Sequence, residues 1–347
     1  MTSRIKTFAA VLALASSALV GSSALAQGTG LLNASYDVAR EFYKDYNAAF
    51  TAHYKKATGK DVKIDQSHGG SSAQARAVAD GLDADVVTMN TSTDIDFLAN
   101  AGVVAKDWTK KFPENASPTT STMLFLVRNG NPKGIKDWDD LVKPGVQVVI
   151  VNPKTGGNGR YAYLAAWGYV KKKGGTDAQA KKGGTDAQAA EFVGKLFKNT
   201  PVLARGGRDA TTAFLQRNIG DALITFESEV VSIDREFGTG KVDSVYPSIS
   251  IVAENPVAVV ERTVAKKGTG ELAKAYLDWL YSEEAQEIAA KHALRPRSQT
   301  VLKKYAATFK PLQLFTVQEL FGSLGEAQKV HFNDGGQFDK LYTPGAR

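Results

Sequence analysis

Cysteine is absent from this chain of 347 residues, and histidine occurs only four times. Without thiols there is no disulfide, no thiolate ligand for zinc and no cysteine nucleophile. The histidines are scattered, and none stands at the short spacings that zinc sites use: His53, His68, His292 and His331. We therefore expect neither a metal ion nor another cofactor.

A long apolar run is missing as well. The apolar stretch at residues 8–20 is shorter than the roughly 18 residues that a membrane-spanning helix needs. Arg4 and Lys6 precede it, and Ala24-Leu25-Ala26 follows it. A basic start, an apolar centre and an A-x-A pattern are typical of a cleaved secretion signal, so residues 1–26 are predicted to be a signal peptide. A membrane anchor is the alternative.

Neither sign of charge dominates the chain, which has 43 Lys and Arg against 36 Asp and Glu, a formal net charge of +7. The charges are interspersed, whereas a nucleic-acid-binding protein would show a basic stripe with stacking aromatic residues. We expect no nucleic-acid partner. The densest basic runs belong to a tandem repeat, in which residues 172–180 recur unchanged as residues 181–189. We interpret the repeat as a duplication within a surface loop.

Common enzyme motifs are also absent. The chain has no G-x-x-x-x-G-K-[ST] nucleotide loop and no G-x-S-x-G nucleophile elbow to accompany His68-Gly69-Gly70. Glu227 and Glu229 are two residues apart and would share one face of a strand; a salt-bridged surface pair or a catalytic pair would both fit. An exported hydrolase that uses Glu227 or Asp209 therefore stays as an alternative function.

Three glycine-containing turns, each followed by a predicted helix start, are the most informative feature that is present. They are residues 68–72 (HGGSS), 154–160 (KTGGNGR) and 205–211 (RGGRDAT). Glycine allows a ligand to approach the main chain closely, and a helix start offers unpaired N–H groups and partial positive charge. Several such starts together predict a binding site for a small dianion.

Strand-like and helix-like segments alternate along the chain. The pattern predicts strands at residues 31–36, 62–66 and 84–89 and helices at 38–56 and 94–101. Between the second and third strands it predicts a helix that is capped by Ser71 or Ser72 and ends at Ala79. This order indicates an α/β fold with a mostly parallel sheet between helices. Ligands of such sheets bind beyond the carboxyl ends of the strands, where Asp37 and Ser71 lie.

The later part of the chain repeats this organisation. Strands are predicted at 123–128, 146–151 and 222–226, with helices at 161–172 and 210–218. Two crossings, near 121–125 and 249–258, suggest two lobes on a two-strand hinge. Residues 27–121 with 250–347 would form the first lobe, completed by helices at 271–281 and 282–293, and residues 122–249 the second.

Seven segments together resemble the periplasmic sulfate-binding proteins, the receptors of bacterial sulfate/thiosulfate ABC transporters: Asn33-Ala-Ser-Tyr-Asp37, Ile64-Asp-Gln-Ser-His-Gly-Gly-Ser71, Leu124-Phe-Leu-Val-Arg-Asn-Gly-Asn-Pro132, Asn152-Pro-Lys154, Tyr163-Leu-Ala-Ala-Trp-Gly168, Gln286-Glu-Ile-Ala-Ala290 and Arg295-Pro-Arg297. The resemblance implies a two-lobed periplasmic binding protein fold of type II, a monomer that closes over sulfate without catalysis and delivers it to a membrane permease. It places the family's donors on the main chain of Asp37, on Ser71, on the turn from Gly156 through Gly157 to Asn158, and on Gly207.

The chain departs from the family's pattern at three points. Gly156, with Thr155 beside it, stands where the family offers a hydroxyl, and Phe226 stands where the family has a tryptophan indole N–H. Arg208-Asp209 adds a carboxylate near a site that should contain donors alone. If Asp209 faced the ligand, hydrogen phosphate would be favoured over sulfate, because it carries a proton. A receptor for phosphate or molybdate is therefore the other alternative.

Overall fold

Two larger sheets flanked by helices, together with a three-stranded and a two-stranded sheet, make up the computed structural model, which describes residues 30–173 and 183–342. The signal peptide predicted at residues 1–26 lies outside the described residues. Within the described part of the chain, no helix has both the length and the apolar character needed to cross a membrane.

The strands, in chain order, are β1 (Gly30–Tyr36), β2 (Lys63–Gly69), β3 (Val86–Thr88), β4 (Thr119–Ser121), β5 (Met123–Arg128), β6 (Val148–Val151), β7 (Leu203–Ala204), β8 (Ala222–Phe226), β9 (Val242–Val245), β10 (Ile249–Ile251), β11 (Ala253–Asn255), β12 (Val257–Val259), β13 (Arg295–Pro296) and β14 (Gln313–Phe315).

The helices are α1 (Arg40–Thr58), α2 (Ser71–Ala79), α3 (Ser92–Asn100), α4 (Pro113–Ala116), α5 (Trp138–Leu141), α6 (Gly157–Lys172), α7 (Asp186–Lys198), α8 (Gly207–Leu215), α9 (Glu229–Phe237), α10 (Glu261–Lys267), α11 (Gly270–Trp279), α12 (Glu283–Lys291), α13 (Gln299–Lys304), α14 (Val317–Phe321), α15 (Leu324–Ala327) and α16 (Gln337–Leu341).

The first sheet has the strand order β12-β3-β1-β2. β1 is parallel to β2 and β3, as the alternating pattern predicts, and β12 is antiparallel to β3. Helix α1 covers this sheet because Phe42, Tyr46 and Phe50 recur every four residues and are all buried. The helix ends at Gly59, whose φ of 74° is a left-handed conformation that glycine adopts without strain.

The second sheet has the order β7-β6-β8-β5-β9. Its strands are apolar on both faces: Met123 and Phe125 of β5 lie in one buried cluster, while Leu124 and Leu126 lie in another. Helices on both sides therefore have to cover the sheet. The mixed α/β architecture predicted from the sequence is confirmed in both halves.

Two neighbouring strands connect the halves. β4 runs antiparallel to β11, with Thr119 opposite Asn255 and Ser121 opposite Ala253, and β13 lies on the other side of β4. β4 leads into the second sheet through β5, and β11 leads back to the first sheet through β12. Both crossings lie within or next to the predicted segments.

The C-terminal segment differs from the expected division of the chain at residue 250. β14 pairs with β10, and Phe315, Phe332 and Phe338 belong to the buried cluster of the second sheet. Residues 313–341 thus return to the second half after α10 to α12 complete the first. The sequence has no local signal for this return, because an apolar residue does not identify which core it joins.

The second copy of the repeat also differs from the expected surface loop. Its Thr185 begins α7 by accepting a hydrogen bond from Gln188 N (3.2 Å), and its Ala189 is fully buried. Residues 174–182, which hold most of the first copy, lie outside the described residues. The repeat therefore supplies the start of a packed helix as well as loop residues.

Candidate functional site

Three helices begin at glycine caps that face one another across the two lobes. The N-caps are Gly70 for α2, Gly156 for α6 and Gly206 for α8, and none of them makes a side-chain capping bond. A β-carbon on Gly70 would lie 3.3 Å from the carbonyl oxygens of both Arg205 and Thr155, which precede α8 and α6. Because the first N–H groups of a helix lack partners within it, donors from both lobes converge here.

Asp37 follows the carboxyl end of β1 and begins a single 3-10 turn, Asp37–Ala39. Its carboxylate accepts hydrogen bonds from Val38 N and, across the lobes, from Arg208 N, both at 3.0 Å. A β-carbon on Gly206 would lie 2.7 Å from Asp37 Oδ2, so this approach requires glycine. Burial raises the pKa of the Asp37 carboxyl, although its main-chain donors lower it in part.

Ser71 is the first residue of α2 and not its cap, which is Gly70. The prediction that Ser71 or Ser72 caps the helix was therefore wrong, because the extended Gly70 takes the cap position. Ser71 Oγ is buried, 3.5 Å from Met89 Sδ, and accepts a long hydrogen bond from Asn90 N at 3.4 Å. A thioether is a weak acceptor, so the hydroxyl proton remains available for an anion.

The turn before α6 brings Thr155, Gly156 and Gly157 to the lobe interface. Thr155 Oγ1 lies 3.0 Å from Arg205 O and 3.2 Å from Asn152 O, so its proton already has main-chain acceptors. A β-carbon on Gly157 would lie 2.1 Å from Asn90 Oδ1 of the first lobe. Gly157 therefore has no room for a side chain in this arrangement.

Asn158 and Gly207 complete the group on the second-lobe side. Asn158 Nδ2 donates to Thr225 Oγ1 at 3.1 Å. A β-carbon on Gly207 would lie 2.6 Å from Val38 Cγ1 and 3.8 Å from Asn158 Nδ2. The structure thus brings Gly207 close to both Asn158 and the Asp37 turn.

The sequence leaves open whether the Asp209 carboxylate faces the ligand. In the structure it turns back to the residues that precede α8. Its Oδ2 accepts a hydrogen bond from Arg205 N at 2.9 Å, in the turn that precedes α8. This contact stabilises the turn, and it occupies the carboxylate with a main-chain donor of the same lobe.

Phe226 is the last residue of β8 and is 1% exposed. Its ring packs edge-on against Tyr161, with the centroids 6.2 Å apart. It lies next to Thr225 at the carboxyl end of the strand, on the side of the sheet that α6 covers. Phe226 has no polar side-chain atom, so it shapes this region without supplying a donor.

Arg160, in the first turn of α6, is a site residue that the sequence reasoning missed. Its guanidinium crosses to the first lobe, where it donates to Ser72 Oγ (2.9 Å) and Thr93 Oγ1 (2.9 Å) and lies 3.3 Å from Asp94 Oδ1. The exposed fractions of the Arg160 and Asp94 side chains are only 8% and 5%. A basic residue directly after a glycine-rich helix start was the available signal.

Glu227 and Glu229 do not form the predicted surface pair on one strand face, because β8 ends at Phe226 and Glu229 begins α9. Both are buried. Glu227 binds Arg295 through two bonds (Oε2–Nε 2.7 Å, Oε1–Nη2 3.0 Å), whereas Glu229 Oε2 accepts from Thr211 Oγ1 at 2.7 Å. Burial raises the pKa of Glu229 to about 7 and also raises that of Glu227. Among the described residues, no group of three His, Asp or Glu could hold a metal ion.

Comparison with known proteins places this site in a family. The sequence profile described as bacterial extracellular solute-binding protein matches residues 31–295. The chain is 54% identical over 340 residues to the thiosulfate-binding protein of Pseudomonas aeruginosa, covering 98% of this chain and 99% of the relative. It is 50% identical over 323 residues to the sulfate-binding protein of Escherichia coli, covering 93% of this chain and 96% of the relative.

Solved structures agree with the sequence comparison. The sulfate-binding protein SubI of Mycobacterium tuberculosis is 32% identical and superposes with a TM-score of 0.77, over 88% of this chain and all of that one. A periplasmic thiamin-binding protein, 17% identical with a TM-score of 0.61, covering 86% of this chain and 95% of that one, shares the fold alone. The chain therefore belongs to the bacterial extracellular solute-binding proteins and, within them, to the family of the sulfate- and thiosulfate-binding proteins.

Proposed function

We propose that this protein captures sulfate, or thiosulfate, between its two lobes and delivers it to the permease of an ABC importer. The observation that carries the proposal is the meeting of three helix starts from both lobes, each with a glycine at the N-cap. Relatives named as sulfate-binding and thiosulfate-binding proteins, similar over nearly the whole chain, support the same ligand class.

Unpaired main-chain donors suit this ligand for a physical reason. Sulfate is a dianion at neutral pH and only accepts hydrogen bonds, so its best site consists of donors. Helix starts supply N–H groups together with partial positive charge, and they need no lysine or arginine in contact with the anion. Withdrawal from water between closed lobes strengthens each of these interactions.

The proposed ligand contacts follow from the positions of the helix starts. The main-chain N–H of Asp37 and the start of α2 at Ser71 come from the first lobe. Gly156, Gly157 and Asn158, together with Gly207, come from the second. Thr155 and Phe226 stand at the border of the site, where the first holds the loop before α8 and the second fills the space beside Tyr161.

The contacts of the nearby carboxylates support sulfate over hydrogen phosphate. A phosphate site would need an acceptor for the ligand's proton. Asp209 and Asp37 each accept main-chain hydrogen bonds instead, from Arg205 and from Val38 and Arg208. Glu227, the other acid considered for a hydrolase, is paired with Arg295. We propose a receptor without catalytic activity, since its relatives are binding proteins.

The location proposed for the protein is the periplasm, after removal of residues 1–26 as a signal peptide. The mature chain would act as a monomer of two lobes, formed by residues 27–121 with 250–312 and by residues 122–249 with the C-terminal segment. The buried clusters of each half support this division, apart from Ile251 and Ala253 at the crossing, which pack in the second half.

Calorimetric titration of desalted mature protein with sulfate, thiosulfate, phosphate and molybdate tests the proposal. We expect one sulfate or thiosulfate per chain, with much weaker heat from phosphate. The anion recovered from the complex should be chemically unchanged, because a receptor binds its ligand without converting it. Binding should raise the stability of the folded protein only through mass action. Binding of phosphate or molybdate in preference to both sulfur oxyanions would assign a different ligand, and turnover of an ester would favour the hydrolase.

A further inference from the structure

The side-chain amide of Asn158 has one edge hydrogen-bonded and the other without a partner. Asn158 is 3% exposed, and its Nδ2 donates to Thr225 Oγ1 at 3.1 Å. Its Oδ1, on the opposite edge, is buried and finds no hydrogen-bond partner among the described residues. A buried amide oxygen without a partner is costly, so this edge of the side chain needs an explanation.

In the part of the chain that the structure describes, the hydroxyl of Thr225 lacks an acceptor, just as Asn158 Oδ1 lacks a donor. This hydroxyl is 1% exposed and accepts from Asn158, yet within the described ranges its own proton has no acceptor. A half-turn of the amide exchanges its nitrogen and oxygen. Asn158 Oδ1 would then accept the Thr225 proton, and Nδ2 with its two N–H groups would stand where the unpaired oxygen stands.

The amide of Asn158 lies at the start of α6, in the second-lobe part of the site. Asn158 is the second residue of this helix, and the amide edge that bonds Thr225 is also the edge that lies 3.8 Å from the position of a β-carbon on Gly207, the first residue of α8. Thr225 precedes the final residue of β8. The turned amide would keep its oxygen on the edge that faces Thr225 and would add a side-chain donor, on the opposite edge, beside the main-chain donors of the α6 start.

We propose that the side-chain amide of Asn158 donates a hydrogen bond to the bound dianion, and that the Thr225 hydroxyl positions the amide for it. This inference rests on the proposed function and adds a second side-chain donor to the Ser71 hydroxyl. The added donor belongs to the same lobe, and Thr225 adjoins Phe226, where the family's indole donor is missing. Asn158 is a binding residue in this account, and Thr225 is a positioning residue that does not touch the anion.

Asn158→Asp is the sharpest test, because it keeps the shape of the side chain and replaces the donor with a carboxylate. An acid in the first turn suits the dipole of α6, so folding is preserved. Placing like charges together costs several kcal/mol, so sulfate affinity should fall on the order of 1,000-fold at pH 8. The sulfate affinity of Asn158→Asp should rise again by at least about tenfold near pH 5, because the carboxylate takes up a proton and becomes a donor. The sulfate affinity of the unchanged protein should vary far less between these pH values.

Two further variants separate contact from positioning. Asn158→Ala removes the donor without adding charge and should weaken sulfate binding about tenfold or more, with no added pH dependence. Thr225→Val keeps the shape but removes the proton that Oδ1 would accept, so a smaller loss is expected. Gln147→Glu is the matched control, since Gln147 is exposed at the opposite end of β6 from the α6 turn and gains the same charge; its sulfate affinity should be unchanged.

The results distinguish this inference from the function on which it rests. If the unchanged protein binds sulfate or thiosulfate but Asn158→Asp binds equally well at pH 8, the side-chain contact is wrong and the receptor function stands. If Asn158→Asp loses affinity equally at both pH values, the carboxylate does not face the anion, and the contact is again wrong. If the unchanged protein binds neither anion, both proposals fail.

Discussion

At the scale of single residues, Gly157 and Gly159 lie two positions apart in α6 but contact different parts of the molecule. A β-carbon on Gly157 would meet Asn90 Oδ1 at 2.1 Å and Thr91 Cγ2 at 2.9 Å, both in the first lobe. A β-carbon on Gly159 would meet Val151 O at 2.2 Å, in the main chain of its own lobe. The first glycine is therefore needed for closure, and the second for folding.

Gly157→Ala should weaken sulfate binding while leaving the melting temperature of the anion-free protein unchanged. Overpacking at the lobe interface costs about 1–3 kcal/mol, or roughly five- to 150-fold in affinity. Gly159→Ala should instead lower the melting temperature by several degrees, because the clash is with main-chain atoms. Calorimetric titration and thermal unfolding of both variants check this pair. If both variants lost sulfate affinity and melting temperature to the same extent, Gly157 would have no separate role in closing the lobes.

Ser71→Ala should reduce sulfate affinity by about 1–3 kcal/mol, because a hydroxyl with only a thioether 3.5 Å away has its proton free for the anion. Ser67→Ala is the control, since Ser67 lies in the neighbouring strand and donates to Gln74 Oε1 at 3.0 Å. Its affinity should match that of the unchanged protein. If Ser71→Ala also binds normally, the Ser71 hydroxyl does not contact the ligand.

Glu229 should make stability depend on pH. Its pKa, raised by burial to about 7 from an ordinary 4.5, means that the native state keeps the proton over a range where the unfolded chain releases it. Stability from this group is therefore full below about pH 4.5 and is lost as the pH rises through 7, by ~3 kcal/mol in total. Glu229→Gln should be more stable than the unchanged protein at pH 8 and similar to it at pH 5, as measured by urea unfolding. The same difference at both pH values would mean that Glu229 is ionised in the folded protein throughout.

At the scale of secondary-structure elements, the presence of the helices is readable from the sequence, and their first residues and caps are less so. The helix predicted at 38–56 follows from the spacing of residues such as Phe42 and Tyr46, whereas the helix predicted at 161–172 begins four residues earlier, at Gly157. Ser71 was mistaken for a cap because serine is a common cap, whereas the anion site leaves that position to Gly70. The contacts of Arg160 are missed, and residues 313–341 are assigned to the first lobe although they pack in the second, since their partners lie far away in sequence.

The tandem repeat supports a prediction about the connection between α6 and α7. Because residues 172–180 and 181–189 are identical, removing any nine consecutive residues of the pair gives one product. Gly184 N already donates to Val170 O at 3.0 Å. In the shortened chain this becomes the six-to-one bond that commonly ends a helix, and the Thr185 cap of α7 is retained.

The shortened protein should therefore fold and bind like the unchanged one. The melting temperature should change by no more than about 2 °C, because every described contact of α6 and α7 is kept. Sulfate affinity should be equal within error. A drop of many degrees would mean that the inserted residues contribute to the core of the second lobe.

At the scale of the whole molecule, polar contacts at the cleft and at the hinge join the lobes. At the cleft, Arg160 reaches Ser72, Thr93 and Asp94, and Arg208 N reaches Asp37. At the hinge, Glu227 pairs with Arg295 beside the paired crossing strands. The cleft contacts hold the two lobes together around the helix starts, so we expect anion capture to be coupled to closure of the lobes.

Backbone amide spectra of ¹⁵N-labelled protein, recorded during a sulfate titration, test whether one sulfate binds between the helix starts of both lobes. We expect downfield shifts of five amide protons, because each donates to or lies beside the same dianion: Asp37, Ser71, Gly157, Asn158 and Gly207. All five shifts should saturate together at one sulfate per chain. Shifts confined to the residues of one lobe, or saturation without change at these amides, would contradict capture between the helix starts.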